Sequence, residues 1–267
     1  SKLLLIATTD GIGANARRVC DANEKPVVRY LLSNFESAEI DYPERFEDLN
    51  SIKRKEQPKP RPHQLKAIAA VTEKFKGVDR GQLIMACGTG KTFTTLWIKE
   101  SLDSKQSLVL LPSLGLLSQS LREWTFAASQ QFDVLCVCSD QTVGKCSEDE
   151  AIDSIADLSF PVTSNVEEIQ QFLQGEGEKV IFSTYQSSSL IADAQARNST
   201  LLFDLVIADE AHRCAGKSAT DFSIVLDSKR IRAAKRLFTT ATPRIYTTSV
   251  KKAAEDRGIE VVGMDDE

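Results

Sequence analysis

From His63 onward the chain alternates short apolar runs with amphipathic stretches. The runs Leu83–Ala86, Leu108–Leu111, Val134–Val137, Val180–Phe182, Leu205–Ala208 and Leu237–Thr240 are each bounded by polar turns and predict strands. Between them, Phe93–Leu102, Leu114–Ala127 and Val166–Leu173 carry helical periodicity. Ahead of the first run, Leu65, Ile68, Ala69, Val71, Thr72 and Phe75 share one predicted helical face. A strand–helix rhythm of this kind implies an α/β fold, a parallel sheet with helices on both faces. Ligands on such sheets gather at the carboxyl ends of the strands. Residues 139–164 break the rhythm and read as a surface insertion.

The first fifty residues follow a different pattern. A strand at 3–7, a helix near 13–22 and a strand at Val27–Leu32 suggest a small α/β piece of its own. Gly11-Ile12-Gly13 lacks the third glycine and the spacing of a dinucleotide fingerprint, so it reads as a turn. Pro58, Pro60 and Pro62 forbid a helix and favour an extended connection. The expected organisation is therefore 1–50 as the end of a preceding domain, 51–62 as a Pro- and Lys-rich linker, and 63–267 as the main domain. The opening Ser1-Lys2-Leu3-Leu4-Leu5-Ile6 is too short for a secretion signal and reads as a strand entered mid-protein.

Two strings carry the chemistry. Met85-Ala86-Cys87-Gly88-Thr89-Gly90-Lys91-Thr92 follows a predicted strand and opens a predicted helix. Gly88 and Gly90 let backbone amides approach phosphate oxygens, Lys91 neutralises the β- and γ-phosphates, and Thr92 offers a hydroxyl to Mg²⁺. Met85 stands where the general pattern has its first glycine. A helix opening at Lys91 aims its amide donors and dipole at the anion. Asp209-Glu210-Ala211-His212 follows the run 205–208. Asp209 is expected to hold the Mg²⁺, and Glu210 to orient and deprotonate the attacking water, because one carboxylate is fixed by the metal while its neighbour stays free. The plain alternatives are a glycine turn before a helix and an exposed acidic turn.

Charge and cysteines narrow the picture further. The net charge of −5 does not advertise a nucleic-acid binder, but the distribution is uneven. Residues 139–178 hold ten acids against Lys145, whereas 51–66 hold six basic residues and one acid, and 229–236 hold five basic residues and no acid. A local basic face suffices for a protein that tracks a phosphate backbone, although each run also reads as a solvated surface. Cys136-Val137-Cys138 alternates inside a predicted strand with no nearby histidine to complete a zinc pattern, so reduced thiols and a cytoplasmic location are expected for the six cysteines. No apolar run is long enough to span a membrane.

Together, Gln64, the loop at 85–92, Asp-Glu-Ala-His at 209–212 and Thr-Ala-Thr at 240–242 resemble the first RecA-like motor domain of superfamily 2 helicases and translocases. The resemblance implies ATP and Mg²⁺ as cofactors. It places Gln64, beside Arg61, at the adenine edge, which an amide can both donate to and accept from, and Ala86, Cys87, Gly88, Thr89, Gly90, Lys91 and Thr92 around the phosphates. It gives His212, Thr240 and Thr242 the coupling of hydrolysis to strand movement. It assigns nucleic-acid backbone contacts to Pro112, Ser113 and Gln119 after one strand and to Thr184 and Tyr185 after another, where strand-to-helix caps are the competing reading.

The strings at 209–216 and 240–246 are similar to the motors of type I and type ISP restriction enzymes. By that resemblance, double-stranded DNA, a second RecA-like domain, and nuclease and methyltransferase domains or subunits are partners, and 1–50 is similar to the tail of an Mrr-like nuclease. After Thr242, 25 residues remain, too few for a second RecA-like domain. An arginine finger supplied by such a domain is worth roughly 10³–10⁵ in rate, so the isolated chain is expected to hydrolyse ATP weakly. A helicase acting on RNA or replication intermediates shares every motif. A P-loop metabolic kinase would need an acceptor pocket that the sequence does not show, and intact Lys91, Thr92 and Glu210 argue against a scaffold with a decayed site.

Overall fold

A computed structural model describes residues 3–23, 25, 27–36, 38, 40–45, 47–48, 53–54, 56–138, 162–213, 216–217, 221–242 and 261–262. The small N-terminal elements are β1 (Leu3–Ile6), α1 (Ala14–Asp21), β2 (Val27–Tyr30), α2 (Leu32–Glu36), β3 (Ile40–Asp41) and β4 (Lys53–Arg54). β1 and β2 form a parallel pair, and β3 and β4 an antiparallel one. Part of the expected linker is thus a strand, and the prolines that follow lead directly into a helix. Leu4 and Ile6 stay exposed on β1.

The main body runs α3 (Pro62–Lys74), β5 (Arg80–Ile84), α4 (Lys91–Ser101), β6 (Gln106–Leu111), α5 (Leu114–Ala127) and β7 (Asp133–Val137). It continues with β8 (Val162–Thr163), α6 (Val166–Gln174), β9 (Lys179–Thr184), α7 (Ser188–Arg197), β10 (Phe203–Ala208), β11 (Gly216–Lys217), β12 (Ala233–Thr240) and β13 (Val261–Val262). Seven of these strands form one parallel sheet in the order β5-β12-β10-β6-β9-β7-β8. The expected RecA-like α/β architecture is what the chain folds into. A separate two-stranded pair joins β11 and β13.

Side chains alternate across the sheet. Val109, Leu111, Val180, Phe182, Leu205 and Ile207 meet Leu96 of α4 and Leu117, Leu121 and Trp124 of α5 on one face. Leu108, Leu110, Ile181, Val206 and Phe238 meet Ile169 of α6 and Ile191 of α7 on the other. Both faces are therefore covered, which explains why β6, β9 and β10 read as continuous apolar runs.

Three details differ from the sequence reading. On α3 the buried side is set by Gln64 and by Phe75 at its end, while Leu65 and Ala69 point outward. The supposed insertion ends in the sheet: Val162–Thr163 pairs in parallel with Cys136–Val137 as its edge strand, and 139–161 lies outside the described residues. Helix α7 was not anticipated, because its alanines and serines weaken the apolar periodicity.

Candidate functional site

Strands β5, β12 and β10 are neighbours, so their carboxyl ends bring three loops side by side. The register aligns Ile84 with Thr240 on β5 and β12, and Ala208 with Phe238 on β10 and β12. Met85 N–H donates to the Thr240 carbonyl (3.1 Å), and Asp209 N–H to the Leu110 carbonyl (2.9 Å), so each loop leaves the sheet from a hydrogen-bonded base.

The first loop turns on Gly88 and Gly90, at φ +74° and +82°. Both occupy the left-handed region that favours glycine. The Gly90 carbonyl then accepts the N–H (3.0 Å) and hydroxyl (2.9 Å) of Thr94, opening α4 at Lys91. Thr89 folds back to the Ala86 carbonyl through its hydroxyl (2.6 Å). Trp124, fully buried, donates its indole N–H to the Thr92 carbonyl (2.9 Å) and stacks edge-on against Phe182. Helix α5 thereby holds the first turn of α4 in place.

Gln64 lies under this loop, buried. Its Oε1 accepts the Arg61 N–H (2.8 Å), and its Nε2 donates to the carbonyls of Thr89 (3.3 Å) and Gly90 (3.2 Å). A Cβ on Gly90 would meet that Nε2 at 2.6 Å. The amide is committed to shaping the phosphate loop, with only acceptor capacity on Oε1 remaining. His63 Nε2 also approaches the Thr89 carbonyl (3.1 Å).

The second loop carries the carboxylates. Asp209 Oδ1 accepts the hydroxyl of fully buried Thr239 (2.5 Å), and the Asp209 carbonyl accepts the hydroxyl of Tyr185 (2.6 Å). Burial pushes the Asp209 carboxyl above its ordinary range, while Thr239 and the Lys91 ammonium act in the opposite direction. Glu210 sits at φ +49°, a conformation that costs a residue with a side chain about 1–3 kcal/mol and that clusters at functional sites. Its Oε1 pairs with Lys91 Nζ (2.6 Å) and its Oε2 lies 3.2 Å from His212 Nδ1. His212 Nδ1 is also 3.0 Å from Thr240 Oγ1 and 3.5 Å from Thr242 Oγ1. Lys91, Asp209, Glu210, His212, Thr240 and Thr242 are thus joined across three strand ends. Thr239 and Trp124 were not singled out from the sequence. Thr239 is legible only once β12 is known to carry it to the strand end beside Asp209, and nothing in the apolar periodicity of α5 marks Trp124.

The expected nucleic-acid residues occupy the next two strand ends, after β6 and β9. Ser113 Oγ caps α5 by accepting the Leu116 N–H (3.4 Å), and exposed Gln119 donates to Glu123 (2.7 Å). Pro112, Thr184 and Tyr185 are buried, and Thr184 donates its hydroxyl to Ser187 (3.2 Å). The side chains of these three pack inward, so a nucleic-acid contact there would fall to the main chain of the strand-end loops. In the basic run at 229–236, Lys229 and Arg230 are exposed, whereas two arginines are committed to main-chain carbonyls. Arg232 donates to the carbonyls of Gln195, Asn198 and Ser199, and Arg236 to those of Ile231 and Ala233, at the end of β12 opposite the phosphate loop.

A parallel sheet with a glycine loop, a lysine and an acidic pair on one carboxyl rim defines a P-loop domain of the RecA-like helicase class. Residues 57–245 match the family described as type III restriction enzyme, res subunit, and the chain belongs to that family. Among solved structures it is similar to the ATP-dependent type ISP restriction-modification enzyme LlaBIII bound to DNA, at 35% identity and a TM-score of 0.80, covering 99% of this chain and 18% of that one. It is also similar to a nuclease-deletion mutant of the type ISP enzyme LlaGI in complex with a DNA substrate mimic, at 36% identity and a TM-score of 0.59, covering 79% of this chain and 19% of that one. The African swine fever virus protein named "Probable helicase A859L" is 33% identical over 177 residues, 66% of this chain and 18% of the relative. The chain thus spans less than a fifth of the length of these proteins. Among the described residues, no helix is long and apolar enough to cross a membrane, and no group of three metal-ligating side chains gathers.

Proposed function

We propose that this chain is the ATP-binding motor unit of a longer, DNA-dependent translocase of the restriction type, acting with a second RecA-like unit and with nuclease or methyltransferase parts. The observation that carries the reading is the convergence of Lys91, Asp209 and Glu210 from the ends of β5 and β10, on either side of β12. The residues fit a magnesium-bound triphosphate. A Cβ at Gly88 would meet nothing within 4 Å, leaving that side of the loop open to an anion, and the Thr92 hydroxyl and Asp209 carboxylate are hard oxygen donors suited to magnesium. Bound magnesium would neutralise phosphate charge and polarise the terminal phosphoryl group.

The chain's own residues do the rest. Phosphate oxygens compete with Glu210 for the Lys91 ammonium. Once released, Glu210 accepts a proton from the attacking water while His212 keeps its other oxygen oriented. Thr239 fixes Asp209, and Gln64 holds the loop that wraps the phosphates. Duplex DNA as the track is supported by the DNA-bound state of the LlaBIII and LlaGI structures.

The test is ATP hydrolysis by the full-length protein with and without duplex DNA or RNA. Duplex DNA is expected to stimulate hydrolysis several-fold, and Lys91→Ala to lower it by about 10²-fold or more. Stimulation by RNA alone would replace the substrate, and a parental rate in Lys91→Ala would remove the site. The 267-residue chain alone is expected to turn over ATP weakly.

A further inference from the structure

Tyr185 lies in the short helical turn Tyr185–Ser187 between β9 and α7, and none of it is exposed to solvent. A buried tyrosine hydroxyl needs a partner, and this one donates to a main-chain carbonyl on another strand's loop, Asp209 O, at 2.6 Å. That carbonyl belongs to the peptide joining Asp209 to Glu210. The orientation of the same peptide plane sets φ of Glu210, which is +49°, one of two left-handed non-glycine residues among those described. On its other side Asp209 is anchored through its N–H to the Leu110 carbonyl (2.9 Å) and through its carboxylate to Thr239 (2.5 Å). With the Asp209 N–H and carboxylate held, rotation of the Asp209–Glu210 peptide is opposed by the Tyr185 hydroxyl on its carbonyl.

We propose that Tyr185 is a positioning residue for hydrolysis: its hydroxyl pins the Asp209–Glu210 peptide and thereby aims the Glu210 carboxylate. Tyr185 does not touch the reacting atoms; it acts through Glu210. Removing the hydroxyl leaves the ring, and with it the packing against the sheet. It frees the peptide to relax from the left-handed conformation and turns the carboxylate away. The nucleotide cradle on β5 and α4 is untouched. This inference rests on the hydrolytic reading of Glu210.

The test uses the full-length protein with duplex DNA, measuring ATP hydrolysis and, separately, affinity for ADP. Tyr185→Phe is expected to lower kcat about ten- to hundredfold, as small misplacements of reacting groups do, with KM and ADP affinity within twofold of the parent. In a Glu210→Gln background, followed by single-turnover hydrolysis, the same change is expected to add less than twofold, because residues that act through one another are not additive. A parental kcat in Tyr185→Phe, an equal loss in both backgrounds, or a loss of ADP affinity matching the loss of rate would overturn the proposal; the last would make the role purely structural. If Glu210→Gln alone keeps the parental rate, the reading of Glu210 as the base falls, and the inference with it. That outcome is separate from the other three.

Discussion

The rim over β5, β12 and β10 differs from the rim over β6 and β9 in what its polar side chains do. On the first, Lys91, Asp209, Glu210 and His212 come from two loops and face one another partly buried. Folding alone gives no reason to gather charges there, since desolvation opposes it. On the second, Ser113, Thr184 and Gln119 bond to groups within four residues of themselves, capping and bracing their own helices. The lesson concerns residue type. A partly buried lysine–carboxylate cluster beside a glycine loop on the carboxyl rim supports a ligand site, which the more deeply buried Lys99–Glu178 pair, away from any such loop, does not. Small hydroxyls at strand-to-helix turns are accounted for by local capping.

The sharpest way to break this contrast is at Gly90. Alanine there meets both a left-handed φ of +82° and the Gln64 amide nitrogen at 2.6 Å. Gly90→Ala is expected to weaken nucleotide binding about five- to thirtyfold, corresponding to the 1–2 kcal/mol of a forced left-handed residue, as read by titration with ADP. An unchanged affinity would mean that the loop is not built around that glycine.

An effect on stability rather than on nucleotide binding is expected one layer below. Trp124→Phe leaves the Thr92 carbonyl without its indole donor and should destabilise by about 1–3 kcal/mol, a drop of roughly 2–4 °C in Tm per kcal/mol for a domain of this size. A thermal melt with no shift would show that α5 does not hold the first turn of α4.

The smallest effect tests the other rim. Ser113→Ala should cost about 1 kcal/mol as a lost helix cap and leave DNA affinity within twofold, whereas exposed Gln119→Ala should leave Tm unchanged. A tenfold loss of DNA affinity in Ser113→Ala at constant Tm would return Ser113 to the role of a phosphate contact.

Much of this was legible in the residues. All six predicted strands of the main domain recur within a few residues, because each carries a short apolar run, longest in the central strands β6, β9 and β10 that are covered on both faces. The two chemical strings were legible because glycines, lysine and paired carboxylates at fixed spacing have few other uses. Three kinds of feature were not. The two-residue edge strand Val162–Thr163 is too short to carry a period. Gln64 could be placed near the nucleotide by resemblance, but its hydrogen bonds to the Thr89 and Gly90 carbonyls depend on how α3 packs. Thr239, on the neighbouring strand β12, and Tyr185, in the turn after β9 two strands away, reach Asp209 only after folding, from 30 and 24 residues away in the chain. Two arginines of the basic run at 229–236 were unreadable for a related reason: Arg232 and Arg236 cap main-chain carbonyls that approach them only after folding.

The most direct test is a structure of the full-length protein with magnesium and a non-hydrolysable ATP analogue. The account predicts the analogue's β- and γ-phosphates within hydrogen-bond distance of Lys91 Nζ, with the Lys91–Glu210 pair opened and the Glu210 carboxylate turned toward the terminal phosphate. Phosphates bound elsewhere, with Lys91 still paired to Glu210, would contradict it.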